Sequence, residues 1–295
     1  MIAFGTFVAE DEAYRRYTEP GISRAAEPDS AILAYASVTS LPRSLNIILD
    51  AAARHDDLEA LVLLHPHTEI TDPALCARVR DVLADPDVGV AGAAGARGGN
   101  GLAWWEGAVS AAPGTLHYDG YGGGGEFPAF GWAGPSAPLG EVDVVDGSLM
   151  VLSPWTVRTV RFDEGLRVGY GFDTDFCRQV RAGGRKVVTA DLRAVFHHAL
   201  ELVEDLDLWI EGHQQVAEKW EAELDEEAWK ARARRAEAER EAARAIAHGR
   251  RLALDARIDA LERRLRETTG TTSWRITEPL RRANARRRRL SERAG

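Results

Sequence analysis

Through the first two thirds of the chain, short apolar runs rich in β-branched residues alternate with helix-length amphipathic segments. Ile2–Val8, Ala31–Ser37, Ala60–Leu64 and Val88–Ala94 read as strands. Between them, Pro42–Arg54 reads as a helix, with Ser40 near its start and Leu45, Ile48, Leu49 and Ala52 on one stripe. Asp72-Pro73 opens another helix that runs through Leu83, Asp serving as cap and Pro fitting the first turn. Val142–Leu152 and Lys186–Phe196 return to strand character. Strands separated by helices of this length imply a parallel α/β sheet. Such sheets gather functional groups at the carboxyl ends of their strands, and His65-Pro66-His67-Thr68 lies at one such end.

Two regions depart from the alternation. Residues 96–140 hold Gly98-Gly99, Gly122–Gly125 and three tryptophans, with little periodicity, and read as a long loop region. From Glu221 the chain becomes an Ala/Arg/Glu-rich helix in which Leu254, Ile258, Leu261 and Leu265 recur at 4-3-4 spacing. Two heptads are equally compatible with a solvated amphipathic helix, because a sustained seam takes three or four. The expected organisation is an α/β unit over 1–220, a charged coiled-coil-like segment over 221–269 and a basic tail over 270–295.

Charge divides the chain in the same place. Residues 221–295 carry 20 Lys and Arg against 14 Asp and Glu, while 1–220 carry 17 against 32. An acidic body argues against nucleic acid as a partner. The Arg286–Arg289 run reads as a solvated end that also suits anionic lipid head groups, which makes peripheral membrane association one expectation. Two cysteines outside any C-x-x-C pair fit a reducing cytosol. The opening residues lack a basic n-region, and no apolar run approaches the roughly 18–20 residues that span a bilayer, so a cytoplasmic protein is expected.

The segment Val168–Gly184 carries the most chemistry. Asp173 and Asp175 stand where a glycine-rich turn becomes a helix, Phe176 and Val180 form its apolar stripe, and Gly183-Gly184 supplies the stop. Carboxylates at a helix start accept its free backbone N–H groups, so capping accounts for both residues on local grounds.

Taken together, Thr39–Ala53, Leu61–Ile70, Val88–Arg97, Val144–Ser148, Arg161–Glu164, Asp173–Arg181 and His197-His198 resemble, in this order, a family 2-like glycosyltransferase. The resemblance is to the streptomycin-biosynthesis-type branch and covers nearly all of 1–220. It implies the GT-A fold, a Rossmann-like mixed α/β sheet with helices on both faces, here followed by a C-terminal helical extension. Thr272-Ser273-Trp274-Arg275-Ile276-Thr277-Glu278-Pro279-Leu280-Arg281 is similar to a tail motif appended to bacterial envelope-sugar glycosyltransferases.

By this resemblance Asp173 takes the place of the base that deprotonates an acceptor hydroxyl, and Asp175 that of a supporting carboxylate. Phe172 stands where many relatives carry Glu. The family's Asp-x-Asp metal motif is replaced by His65-Pro66-His67, which leaves His67, with His197, as candidate ligand for a divalent cation such as Mn²⁺ or Mg²⁺. Both histidines also fit as ordinary strand-end residues. Val8, Glu10, Ser37, Asn46 and His65 are the implied nucleotide-side residues, and Gly95 and Arg97 face the sugar or diphosphate. Asp146 falls where a sugar-contacting acid is expected, and Trp104 and Trp155 offer stacking faces, although bulky aromatics commonly serve as core. The implied activity is inverting transfer of a sugar from a UDP-, GDP- or dTDP-sugar to a glycan or small-molecule acceptor. The alternative is a nucleotide-sugar-binding or scaffold protein without turnover, whose helical tail is then the working part; under either reading a homodimer through the C-terminal helix is a further expectation. A sugar nucleotidyltransferase is disfavoured, because no glycine-rich loop with a basic residue follows the first strand.

Overall fold

The computed structural model describes residues 1–8, 11–36, 40–98, 104, 107–112, 115–118, 125–126, 137–166, 170–198, 206–221, 251, 254–271, 274 and 276–277. Strand β1 (Ile2–Val8) leads into helix α1 (Asp11–Ala13), a π-helical turn (Tyr14–Thr18) and α2 (Glu19–Ala25). Next come β2 (Ala31–Ala36), α3 (Leu41–Ala52), β3 (Ala60–Leu64), β4 (Thr68–Ile70), α4 (Leu75–Leu83), β5 (Val88–Gly92) and β6 (Ala94–Arg97). Strands β7 (Ala108–Ala111), β8 (Leu116–Tyr118) and β9 (Gly125–Glu126) follow. The chain continues through β10 (Glu141–Val142), β11 (Val144–Val145), β12 (Leu149–Leu152), α5 (Pro154–Thr159) and α6 (Phe172–Ala182). It then forms β13 (Lys186–Thr189), β14 (Ala194–His198) and α7 (Leu206–Glu221).

Seven strands form the main sheet in the order β10-β13-β5-β12-β3-β1-β2. β13, β5, β3, β1 and β2 share one direction, while β12 runs against both β3 and β5, and β10 against β13. The expected α/β architecture with helices on both faces is present, as a mixed sheet. Residues of β3 show why: Leu61 and Leu63 pack with α3, α5 and α6, whereas Ala60, Val62 and Leu64 pack with α2 and α4. A strand buried on both faces reads as a continuous apolar run, and period two merely divides it between the two layers.

Several boundaries differ from the sequence reading. The run Val142–Leu152 is three strands, because Asp146 Oδ1 takes the Ser148 N–H at 2.8 Å and turns the chain. Val88–Ala94 splits into β5 and β6, the latter joining a second sheet of order β11-β6-β7. Lys186–Phe196 likewise splits into β13 and β14 around Arg193, a non-glycine residue at φ 50°. The polar stretch after β3 contains β4, which pairs with β14 in a third sheet, β4-β14-β8-β9. Helix α4 starts at Leu75 rather than at Pro73, because Asp72 accepts the Ala74 N–H and the Arg78 Nε–H, each at 2.8 Å. In the region read as a loop, the described residues include β7, β8 and β9. Residues 254–270 are helical as expected, and α7 is an additional helix before the extension. Among the described residues no helix is long and apolar enough to cross a membrane.

Candidate active site

Because β1, β2, β3, β5 and β13 are parallel, their carboxyl ends form one edge: Val8, Ala36, Leu64, Gly92 and Thr189. β12 enters from that edge, Leu149 pairing with Leu64. The turn Asp146-Gly147-Ser148 therefore sits among the carboxyl ends, and it organises the site. Ser148 joins two halves of it. Its carbonyl accepts the His65 N–H at 3.0 Å and the Thr68 hydroxyl at 2.7 Å, while its own N–H reaches Asp146. On the other side the Gly147 N–H donates to Asp173 Oδ2 at 3.1 Å. Phe172 lies over Gly147, where an added Cβ would meet its ring at 2.5 Å, so glycine is required for that approach.

Asp173 occupies the first turn of α6 and is 9% exposed. Its Oδ1 accepts the Thr174 N–H at 2.7 Å, but the N-cap position itself is Gly171 and carries no side-chain bond, so Asp173 is not the cap that local sequence suggests. Burial, followed by the nearby Asp146 carboxylate, pushes its pKa up to about 7, against the backbone N–H groups that favour the charged form. A carboxyl group titrating there alternates between proton acceptor and donor near neutrality. Asp175 points elsewhere. Fully buried, it accepts the Trp220 Nε1–H and the Gln179 amide, each at 2.8 Å, and pairs with Lys219 at 2.8 Å. It ties α6 to α7.

The histidines form a second cluster. The His65 and His67 rings lie 5.3 Å apart, and His67 Nδ1 donates to the His197 carbonyl at 3.1 Å. His197 stacks on Tyr17, centroids 4.1 Å apart, and directs Nε2 to Glu69 Oε2 at 2.8 Å. Thr18 lies within 3.1 Å of three carbonyl oxygens of this turn, those of His65, Pro66 and Thr68, and Pro66 is nearest at 2.7 Å. Among the described residues no group of three His, Cys, Asp or Glu side chains is placed to hold a metal ion, and Glu69, the only carboxylate of the turn, already engages His197 and Arg24.

The remaining candidates divide. Val8 and Gly95 lie at the carboxyl edge, Gly95 so close to the Val144 carbonyl that a Cβ there would be 2.3 Å from it. Arg97 closes β6 and donates to the Glu141 carbonyl. Asn46 is a structural clasp: its amide donates to the Phe162 carbonyl and accepts the Phe162 N–H, each at 2.9 Å. Trp104, 5% exposed, packs in the core and has no face to offer a sugar. Trp155 follows the antiparallel β12 to the opposite edge of the sheet, where Arg185 sits 5.1 Å over its ring. Neither tryptophan joins the site. Glu10 and Ser37 lie outside the described residues. Sequence reasoning did not single out Tyr17, Thr18, Lys219 or Trp220, because nothing local marks a helical residue that supports a distant turn. Glu69, the first carboxylate after the strand, was the one legible signal.

No family model matches the chain. Over 200 residues, 67% of its length, it is 30% identical to the streptomycin biosynthesis protein StrF of Streptomyces griseus, of which it spans 66%. Among solved structures, the mannosyltransferase PcManGT from Pyrobaculum calidifontis, in complex with GDP-Man and Mn²⁺, gives a TM-score of 0.48 at 15% identity, over 93% of this chain and 82% of that one. A197 from STIV gives 0.39 at 10% identity, over 67% and 94%. Both structural likenesses are too remote to bear on the chemistry.

Proposed function

We propose that the chain is an inverting glycosyltransferase of GT-A type acting on a nucleotide-diphosphate sugar, a reading supported by its 30% identity over 200 residues to the streptomycin biosynthesis protein StrF. The carrying observation is Asp173, a buried carboxyl group held at the carboxyl edge of the sheet with its pKa raised to about 7. An acceptor hydroxyl gives its proton to Asp173, and its oxygen forms the new bond to the anomeric carbon. The bond from that carbon to the diphosphate oxygen breaks, and the nucleoside diphosphate leaves with the electron pair. A base with a pKa near the working pH serves this step well. Asp146, bonded to Ser148, adds a second carboxylate for sugar hydroxyls. The edge formed by Val8, Gly95 and the His65-Pro66-His67 turn is the proposed donor side, with Arg97 at the end of β6. No step is assigned to a divalent cation.

Calorimetric titration of the folded protein with UDP, GDP and dTDP, with and without Mn²⁺, tests the reading. Binding of one nucleotide is the expected result, and no binding under any condition rejects the enzyme. Asp173→Asn then abolishes transfer while leaving nucleotide affinity nearly unchanged. The second reading, a donor-binding protein without turnover, draws support from His65-Pro66-His67 standing where the resemblance implies Asp-x-Asp. It predicts nucleotide binding with neither transfer nor donor hydrolysis.

A further inference from the structure

The helix over 254–270 carries the largest uncovered apolar stripe among the described residues. Leu254, Ile258, Leu261 and Leu265 are 58%, 52%, 57% and 62% exposed, whereas the apolar stripes of α3 and α6 are buried against the sheet. Spacing of 4-3-4 places the four residues at successive d, a, d and a positions of a heptad. Singly scattered surface leucines need no explanation, but four in one row do.

The flanking charges select the occupant. With Ile258 and Leu265 at a, the g positions are Arg257 and Arg264 and the e positions are Asp255 and Glu262. In a parallel pair of helices each g residue faces the e residue five positions further along the other chain, which brings Arg257 to Glu262 of the second copy. An antiparallel pair would instead set g against g and e against e, arginine facing arginine and carboxylate facing carboxylate. The polar face of the helix is balanced, Arg257, Arg263, Arg264 and Arg266 against Asp255, Asp259, Glu262 and Glu267, so it lacks the cationic excess that draws a helix to an anionic lipid surface. Glu262 holds Arg266 at 3.4 Å within its own helix, but both are more than half exposed, and such a surface pair yields readily to a better-placed partner.

We infer that this stripe is the seam of a parallel homodimer in which the 254–270 helices of two copies pair in register, Arg257 of each facing Glu262 of the other. Arg251 at the preceding a position and Thr268 at the following d position limit the seam to two heptads. The dimer is therefore concentration-dependent, and it leaves the α/β bodies outside the contact.

Sedimentation equilibrium of the full chain tests this, with a mass rising with concentration from 32.3 kDa toward twice that value. Ile258→Asp/Leu261→Asp holds the mass at the monomer value at every concentration, with an unchanged melting temperature of the α/β body. Arg257→Glu weakens association at least several-fold, and Arg257→Glu/Glu262→Arg restores it. Because Cys76 and Cys177 are both buried, Leu265→Cys gives an interchain disulfide under mild oxidation only if the helices are parallel. A chain that remains monomeric up to its solubility limit overturns the inference. So does a dimer indifferent to the double aspartate variant, or a dimer in which Leu265→Cys does not cross-link. Recovery of a monomeric chain on phosphatidylserine vesicles, abolished by the same double variant, would assign the stripe to lipid and also overturn it.

Discussion

Asp173 holds two jobs whose demands conflict. Accepting the Thr174 and Gly147 N–H groups favours its charge, whereas burial beside Asp146 opposes it, and opposition prevails because the pKa rises. The sign of the resulting pH dependence follows. Below the ordinary carboxylate range the group is protonated in both the folded and unfolded chain and costs nothing. As pH rises from about 4 through about 7 the unfolded chain releases the proton first, so stability is progressively lost and stays lower above that window. Asp173→Asn is therefore expected to raise the melting temperature at pH 8 and to leave it nearly unchanged at pH 4, as thermal unfolding at the two pH values would show. The same variant is expected to be inactive in a transfer assay, the trade of stability for function common at catalytic groups. Transfer by the unmodified chain is expected to climb with pH around an apparent pKa near 7, and a flat profile from pH 5 to 9 would remove Asp173 as base.

At the level of elements, the site depends on how α6 is held. Gly171 precedes it at φ 77°, and an added Cβ would meet Val216 Cγ2 at 3.0 Å and the Gly212 carbonyl at 3.4 Å, both on α7. Gly171→Ala is strained in conformation and crowded in space, and about 1–2 kcal/mol of destabilisation is expected in urea unfolding. At the other end of the contact, Lys219 and Trp220 satisfy Asp175 inside the protein. Trp220→Phe keeps the ring but removes the hydrogen bond to a buried carboxylate, with an expected cost of about 1–3 kcal/mol. If α7 positions α6, this variant also lowers kcat more than it raises the donor KM, a split that simple destabilisation would not produce. Beneath both contacts Phe176 stacks on Phe162 with centroids 4.1 Å apart and is fully buried. Phe176→Ala is expected to cost about 3–5 kcal/mol by the same unfolding measurement.

Across the whole molecule, charge separates an acidic stretch over 1–220 from a basic one over 221–295, and α7, at that change, is tied to the α/β body through Asp175. A chain ending at Glu221 is expected to fold and to bind nucleotide like the full chain, since α7 still reaches Asp175. One ending before Leu206 is expected to melt at lower temperature, because it strands that carboxylate.

Much of this architecture was legible. Strands such as Ala60–Leu64 and Val88–Gly92 announce themselves because burial on both faces demands continuous apolar sequence. The helices α3 and α6 were legible from caps and 3.6-residue stripes, and the Asp173 segment from its two carboxylates at a helix start. What the amino-acid sequence determined by itself was therefore local: element type, the α/β class, and the presence of acid chemistry at one strand-edge turn. Only the tertiary structure decided which of two carboxylates two residues apart meets the site. Successive positions on a helix diverge by about 100°, so packing of α6 turns Asp173 to Gly147 and Asp175 to Trp220. It likewise decided that β12 runs against its neighbours, which carries Trp155 to the far edge while Ser148 stays among the carboxyl ends. Strand direction and helix rotation are set by contacts between residues distant in sequence, and no local pattern encodes them.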